Sequence, residues 1–285
     1  MSEASVLVVC NAETDPPGTL ASWLTDAGLA LEVVDGPALP PDLAGYAGLV
    51  VLGGPMSATD DVRAPWLPHL RALLRQAVSD ELPTLAICLG AQLLAVANGG
   101  RVEPNPEGPE FGAQLIAKRS AAANDPLFRP MPITPDVIQW HYDAVLTLPP
   151  GAVQLASSPT CENQAFRLGR LAWGLQFHIE TTPDVVRTWA ALDAEQLSDY
   201  DLDAIVRRSD AAHMDVAEVW EPFVLAFAEI VRDPASVAPI AATPGGGPAT
   251  LTDPAAIRAA LAREANAARA SMPMPMPVVR PPGDD

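Results

Sequence analysis

Hydrophobic positions in the first hundred residues come in short unbroken runs separated by amphipathic stretches. Ser5–Cys10 (SVLVVC), Leu31–Val34, Gly48–Leu52 (GLVVL) and Thr84–Ile87 (TLAI) are compact apolar runs, rich in β-branched residues. This is the pattern of strands buried on both faces. Gly18–Ala27, Trp66–Val78 and Ala91–Asn98 carry helical spacing between or after them, and the last stops at Gly99-Gly100. Buried strands that alternate with helices predict a mostly parallel sheet covered on both sides.

From about Phe111 to Gln176 the rhythm changes. Gln114–Ala117, Val137–Trp140, Ala152–Ala156, Gln164–Leu168 and Leu171–Phe177 are short strand-like runs, broken by turn residues such as Pro149-Pro150-Gly151. They predict an antiparallel extension of the sheet. Thr182–Ala190, with Pro183 suited to a first helical turn, and two or three segments up to Val231 are expected to be helices. After Arg232 the composition shifts: residues 233–285 hold ten of the 31 prolines, a Gly245-Gly246-Gly247 run and a Met-Pro alternation at 272–277. The expected organisation is a core domain over 1–232 and a largely disordered Pro/Ala/Gly-rich tail over 233–285, with a candidate helix over 254–269.

Composition narrows the function. The formal net charge is −18 over 285 residues, which argues against binding to nucleic acid or to an anionic membrane surface. No apolar run approaches the length of a membrane span, and the N-terminus lacks a basic n-region and a signal-like apolar stretch. Three widely spaced cysteines, Cys10, Cys88 and Cys161, fit neither a disulfide framework nor a zinc pattern. The expectation is a cytoplasmic protein with free thiols and with no metal or cofactor.

One segment joins the strand pattern to chemistry. In Leu85–Leu94 (LAICLGAQLL) a buried strand ends, a cysteine follows at once, and a helix begins. Such a strand–turn–helix junction pushes a nucleophile out at the C-terminal edge of the sheet, where open α/β folds bind ligands. A helix N-terminus favours thiolate over thiol, Gly90 permits close backbone approach, and the Leu89 amide is placed to meet an oxyanion. A buried structural cysteine is the bland alternative. A thiolate needs a base, and His178 follows a strand-like run with Glu180 two residues on, placed to orient the imidazole. Gly53-Gly54 ends the third strand (VVLGGPMS) and can expose backbone amides. His69 and His213 are expected on the surface, Cys10 in the core, and Cys161 as a bystander in a turn.

Taken together, Cys88-Leu-Gly-Ala-Gln92, Gly53-Gly-Pro55 and Gln176-Phe-His-Ile-Glu180, 90 residues from cysteine to histidine, resemble class I glutamine amidotransferases, in particular their free-standing, GMP synthase-like branch. Asp125–Phe128, Gln139–Asp143, Leu148–Ala152 and Asn163–Phe166 extend the resemblance over roughly residues 5–230. It implies a flavodoxin-like three-layer α/β/α sandwich. It also implies Cys88 as nucleophile, His178 as general base and acid, and Glu180 as its orienting partner. Gly54 and Leu89 become the oxyanion donors, and Gly53, Gln92, His141 and Asp143 become substrate contacts. Ile179 stands where many relatives have proline, and Ala113 where relatives often carry tryptophan. The implied activity is hydrolysis of the γ-amide of glutamine through a γ-glutamyl thioester, releasing glutamate and ammonia; the ammonia either passes to a separate synthetase subunit or is simply released. Two alternatives remain open: a free-standing hydrolase of γ-glutamyl peptides or amines, and a non-catalytic binding or regulatory protein on the same fold.

Overall fold

The computed structural model describes residues 4–238. The first half is built as the hydrophobic rhythm predicts. Strand β1 (Ser5–Cys10) leads through helix α1 (Gly18–Asp26) to β2 (Ala30–Asp35), then to β3 (Gly48–Val51), α2 (Leu67–Ser79), β4 (Thr84–Ile87) and α3 (Leu89–Ala97). Helix α3 starts at Leu89, two residues before the apolar periodicity suggests, because the turn at Cys88 feeds the chain directly into its first turn. The second half contains β5 (Arg101–Pro104), β6 (Glu110–Leu115), β7 (Ala117–Lys118), β8 (Asp136–His141), β9 (Asp143–Thr147), β10 (Val153–Ser157), β11 (Ala165–Leu168) and β12 (Ala172–Leu175). Helices α4 (Pro183–Leu192) and α5 (Leu202–Arg232) close the fold.

The main sheet has eight strands in the order β2-β1-β3-β4-β12-β11-β10-β7. The first five are mutually parallel, and β11, β10 and β7 add on antiparallel. Alternate residues of each inner strand face opposite layers, as a period of two requires. Val6, Val8, Val50, Leu52, Leu85 and Ile87 pack into the layer with α1 and α5, whereas Leu7, Val9, Leu49, Val51 and Ala86 pack into the layer with α2 and α3. The fold is a flavodoxin-like α/β/α sandwich with a mostly parallel sheet and an antiparallel extension.

Three details differ from the sequence reading. The pair β6–β8 does not join the main sheet, and β5 with β9 forms a second separate two-stranded ribbon. Strands β5 and β9 escaped prediction because RVEP is polar and exposed and because Asp143 opens β9 directly after the Tyr142 turn. The stretch after Tyr200 is one 31-residue helix that runs through Pro222 rather than several segments. Its buried face, from Ile205 through Trp220 and Phe227 to Val231, is continuous enough to hold the helix together across the proline.

Past Arg232, residues as far as Ala238 remain on the core. Val237 is buried, and Arg170 donates to the carbonyl oxygens of Pro234 and Val237. The candidate helix over 254–269 lies outside the described residues.

Candidate active site

Parallel strands end at one edge of a sheet, so the segments after β1, β3, β4 and β12 converge there. The segment after β4 carries Cys88. This residue has φ 50° and ψ −109°, a positive-φ conformation that costs a non-glycine residue of order 1–3 kcal/mol. Its amide donates to Leu175 O on β12 at 2.7 Å, and its carbonyl accepts from Gln92 N at 3.0 Å. The turn is held from both sides. Gly90 sits so close to β3 that a Cβ would fall 2.2 Å from Val51 O, so only glycine lets α3 dock there.

His178 lies three residues beyond β12, in extended backbone held by an isolated bridge to Ile138 on β8. It is buried, as is Glu180. The ring donates from Nδ1 to Glu180 Oε1 at 2.7 Å, and Glu180 Oε2 accepts from Ile179 N at 2.9 Å. Helix α1 fixes the same segment from below: Thr19 donates to Glu180 O from its amide at 3.0 Å and from its hydroxyl at 3.2 Å. Gly18, at φ 46°, makes this approach feasible, since a Cβ there would lie 2.0 Å from Glu180 O. Ile179 points away from the catalytic cavity, into a small separate one with Trp23 and Val216.

With Nδ1 committed to Glu180, Nε2 is the ring nitrogen left for Cys88. Burial works to lower the His178 pKa. The charges of Glu180 and Cys88 outweigh it and hold the value well above the usual imidazole range. Gly53 lies between these groups. A Cβ on it would be 2.7 Å from Asp15 Oδ1, 3.0 Å from His178 Cε1 and 3.6 Å from Cys88 Cβ. Gly53 itself does not line the cavity, and its contribution is to let the strand end pass. Gly54 does line the cavity and abuts the Leu89 side chain.

Cys88 and His178 open onto one cavity of about 430 Å³, shared with Gly54, Gln92, His141 and Asp143. The hydrogens of Gln92 are already committed: Nε2 donates to Asp143 O at 3.0 Å and to Gln176 Oε1 at 3.3 Å, so only Oε1 is left for a ligand. His141 donates from Nδ1 to the same Asp143 carbonyl at 3.0 Å, and its Nε2 lies 3.0 Å from Glu110 Oε2. Both residues therefore brace the wall formed by the Trp140–Asp143 turn. Ala113 is not part of the cavity wall.

Sequence reasoning missed several residues. Glu110 stands directly across the β6–β8 ladder from His141. Its oxygens also accept from Ser158, Thr160 and Gln164. Burial raises the Glu110 pKa, but the bonds from His141, Thr160 and Ser158 leave it below the usual carboxylate value. Cys161 completes a buried Glu110–His141–Cys161 group whose donor atoms lie within 4.8 Å of one another, the set among the described residues that could face a metal. Its chemistry suits a brace better: four protein donors saturate Glu110, and burial together with the Glu110 charge pushes the Cys161 thiol up to about 12. Cys161 is thus a buried member of a polar network rather than a turn bystander. His213 is also only half exposed, with Nδ1 bonded to Ser209 O and Nε2 to the Thr181 hydroxyl. Asp15, Trp189 and Asp193 line the cavity as well, and none of them stands in a recognisable motif.

Comparison with known proteins places the chain. Residues 19–188 match the family described as "Glutamine amidotransferase class-I". The putative glutamine amidotransferase-like protein YfeJ of Salmonella typhimurium is 31% identical over 197 residues, covering 67% of this chain and 82% of that protein. A GMP synthase of Christiangramia forsetii is 34% identical over 145 residues, half of this chain but only 26% of the synthase. Among solved structures, a glutamine amidotransferase from Thermotoga maritima superposes with a TM-score of 0.71 at 27% identity, over 82% of this chain and all of that one. One from Methylobacillus flagellatus gives 0.70 at 27% identity, over 86% of this chain and all of that one. The chain belongs to the class I glutamine amidotransferase family.

Proposed function

We propose that the protein hydrolyses a γ-glutamyl amide, glutamine in the first instance, with Cys88 as nucleophile. One observation carries this reading: Cys88 is held at a positive φ on the β4–α3 junction, facing the same cavity as a buried histidine whose other nitrogen is tied to Glu180. The thiolate attacks the γ-carbonyl carbon. The amides of Leu89, at the first turn of α3, and of Gly54 receive the developing oxyanion. The C–N bond breaks as the His178 imidazolium gives its proton to the departing nitrogen, leaving a γ-glutamyl thioester. His178, now neutral, takes a proton from water, whose oxygen attacks the thioester. Glutamate leaves and the thiolate–imidazolium pair is restored. Glu180 holds the ring and stabilises its cation. The ammonia either enters solution or passes to a separate synthetase subunit.

The raised pKa of His178 fixes the sign of the pH dependence. Acylation needs the imidazolium, so activity persists as pH rises past the ordinary imidazole value of about 6.5. It is lost only as pH climbs through the raised value. Glu180→Gln removes the largest influence holding the proton on. Its alkaline limb therefore moves to lower pH, and kcat falls roughly 10²- to 10⁴-fold. Initial rates of glutamate release from glutamine and from γ-glutamyl peptides, followed from about pH 5 to about pH 10, test this. An alkaline limb in the same place for both proteins would count against Glu180 as the partner of His178. Absence of turnover for every substrate in the purified protein would favour an enzyme that works only with a partner subunit.

A further inference from the structure

The wall beside His178 has a chemistry that hydrolysis of glutamine does not use. The departing nitrogen must lie on the side of the scissile bond where His178 can protonate it, so any substituent on that nitrogen extends past the imidazole. The Trp189 ring lies there, 4.7 Å from His178 between centroids, and Trp140 follows 5.9 Å beyond Trp189. Trp140 Nε1 donates to Asp193 Oδ2 at 2.9 Å, and Trp189 Nε1 donates to Thr14 O at 2.8 Å. These bonds tie both rings to acidic or carbonyl oxygen.

Asp15 stands at the near end of the wall. It is 7% exposed, yet only the Thr14 hydroxyl donates to it among the described residues, at 2.8 Å to Oδ2. Oδ1 is left without a protein donor, in a residue that lines the cavity. Burial raises the Asp15 pKa; His178 opposes that, while the charges of Glu180 and Asp193 add to it. An added cation beside Asp15 would relieve this. Besides His178 itself, the cavity lining offers only Arg63, at the rim, whose side chain is 75% exposed and already paired with Asp60.

We infer that the leaving-group wall formed by Asp15, Trp189, Trp140 and Asp193 is a cation site, and that the preferred substrate is the γ-glutamyl amide of a diamine or polyamine. The inference rests on the hydrolase reading above. Aromatic faces and carboxylates together recognise an ammonium group through cation–π attraction and charge. The reaction is unchanged in balance: the C–N bond breaks, the amine nitrogen takes the proton of His178, and water completes glutamate.

The test compares, on the full chain, three amides whose amine parts each have four carbons: γ-glutamyl-1,4-diaminobutane, γ-glutamyl-butylamine and γ-glutamyl-4-aminobutyrate. The diamine amide should exceed the butylamide in kcat/KM by about tenfold or more, and the carboxylate amide should be the poorest. In Asp193→Asn and Asp15→Asn the ratio of diamine to butylamide should collapse toward one. The ratio is the readout, so a general loss of rate does not obscure it. Equal rates for the three amides would mean that the acids serve the α-ammonium group all three share, and would overturn the inference. So would a preference for the carboxylate, or a ratio that survives both substitutions. Calorimetric binding of the same compounds to Cys88→Ala separates the two readings. If the diamine amide binds tightest but is never hydrolysed, the cation site stands and the hydrolase reading falls. If the amides are hydrolysed with no charge preference, the reverse holds.

Discussion

Cys88→Ala and Cys88→Gly both lose glutamate release to the limit of detection, yet the two variants differ in stability. The sulfur is the only atom in the cavity that the proposed chemistry asks to form a covalent bond, and the remaining hydrogen bonds have no tetrahedral species to hold. Loss of at least about 10⁴-fold is expected, in line with removal of the nucleophile from other triads. Stability separates the variants because the backbone at residue 88 has φ 50°. Alanine keeps the steric cost of that conformation and glycine does not. Cys88→Gly should therefore be more stable than Cys88→Ala by about 1 kcal/mol or more, although glycine is the more flexible residue in the unfolded chain. Urea unfolding of both variants measures the difference. Equal stabilities would show that the strain at the elbow is no larger than glycine's cost in the unfolded chain, and residual turnover in either variant would remove Cys88 from the chemistry.

Asp125→Ala should be the most damaging single change away from the cavity, at about 3–5 kcal/mol. Asp125 is 3% exposed and organises the start of the Asp125–Phe128 turn. Its Oδ1 accepts from the amides of Leu127 and Phe128, each at 3.0 Å. Its Oδ2 accepts from Trp173 Nε1 at 3.1 Å and pairs with buried Arg167 at 3.4 Å. Truncation leaves two backbone donors and an indole N–H without their acceptor, and it strips the buried Arg167 guanidinium, which keeps its bonds to Arg170 O, of its counter-charge. Burial already pulls the Arg167 pKa down, and Asp125 is the main influence pushing it back. Asp125→Asn should be milder, since its carbonyl oxygen can still cap the turn. A loss below about 1 kcal/mol in Asp125→Ala would mean that the pair contributes geometry but little energy.

The parallel half of the sheet was readable because every inner strand is buried on both faces, which leaves a continuous apolar run in the sequence. Cys88 stood out for the same reason: it interrupts such a run where a helix begins. His178 and Glu180 were legible as a pair two residues apart, although the strand before them ends at Leu175 and the bridge to Ile138 carries His178 into place. The support network was not legible. Glu110, His141 and Cys161 come from three distant segments, and only the β6–β8 register sets Glu110 opposite His141. Asp15 and Asp193 lie in loops with no periodicity, and Trp189 reads as an ordinary core position on α4. Their meeting is a product of the tertiary fold, where strand ends and helix ends share one edge. The ribbon β5–β9 escaped notice because its polar, exposed first strand resembles a loop.

Catalysis by Cys88 requires one covalent bond, and mass spectrometry reads it directly. The purified full chain is incubated with a glutamine analogue that carries a diazoketone at the γ position, then digested and mapped. The prediction is a single adduct on Cys88, with Cys10 and Cys161 unmodified: both are buried, and their thiols are pushed up to about 11 and about 12 by burial and nearby carboxylates. The adduct should form at the rate at which glutamate release is lost, and glutamine should protect against both. An adduct on Cys161 or Cys10 with Cys88 untouched, or loss of activity with Cys88 unmodified, would contradict the assignment of Cys88 as the nucleophile.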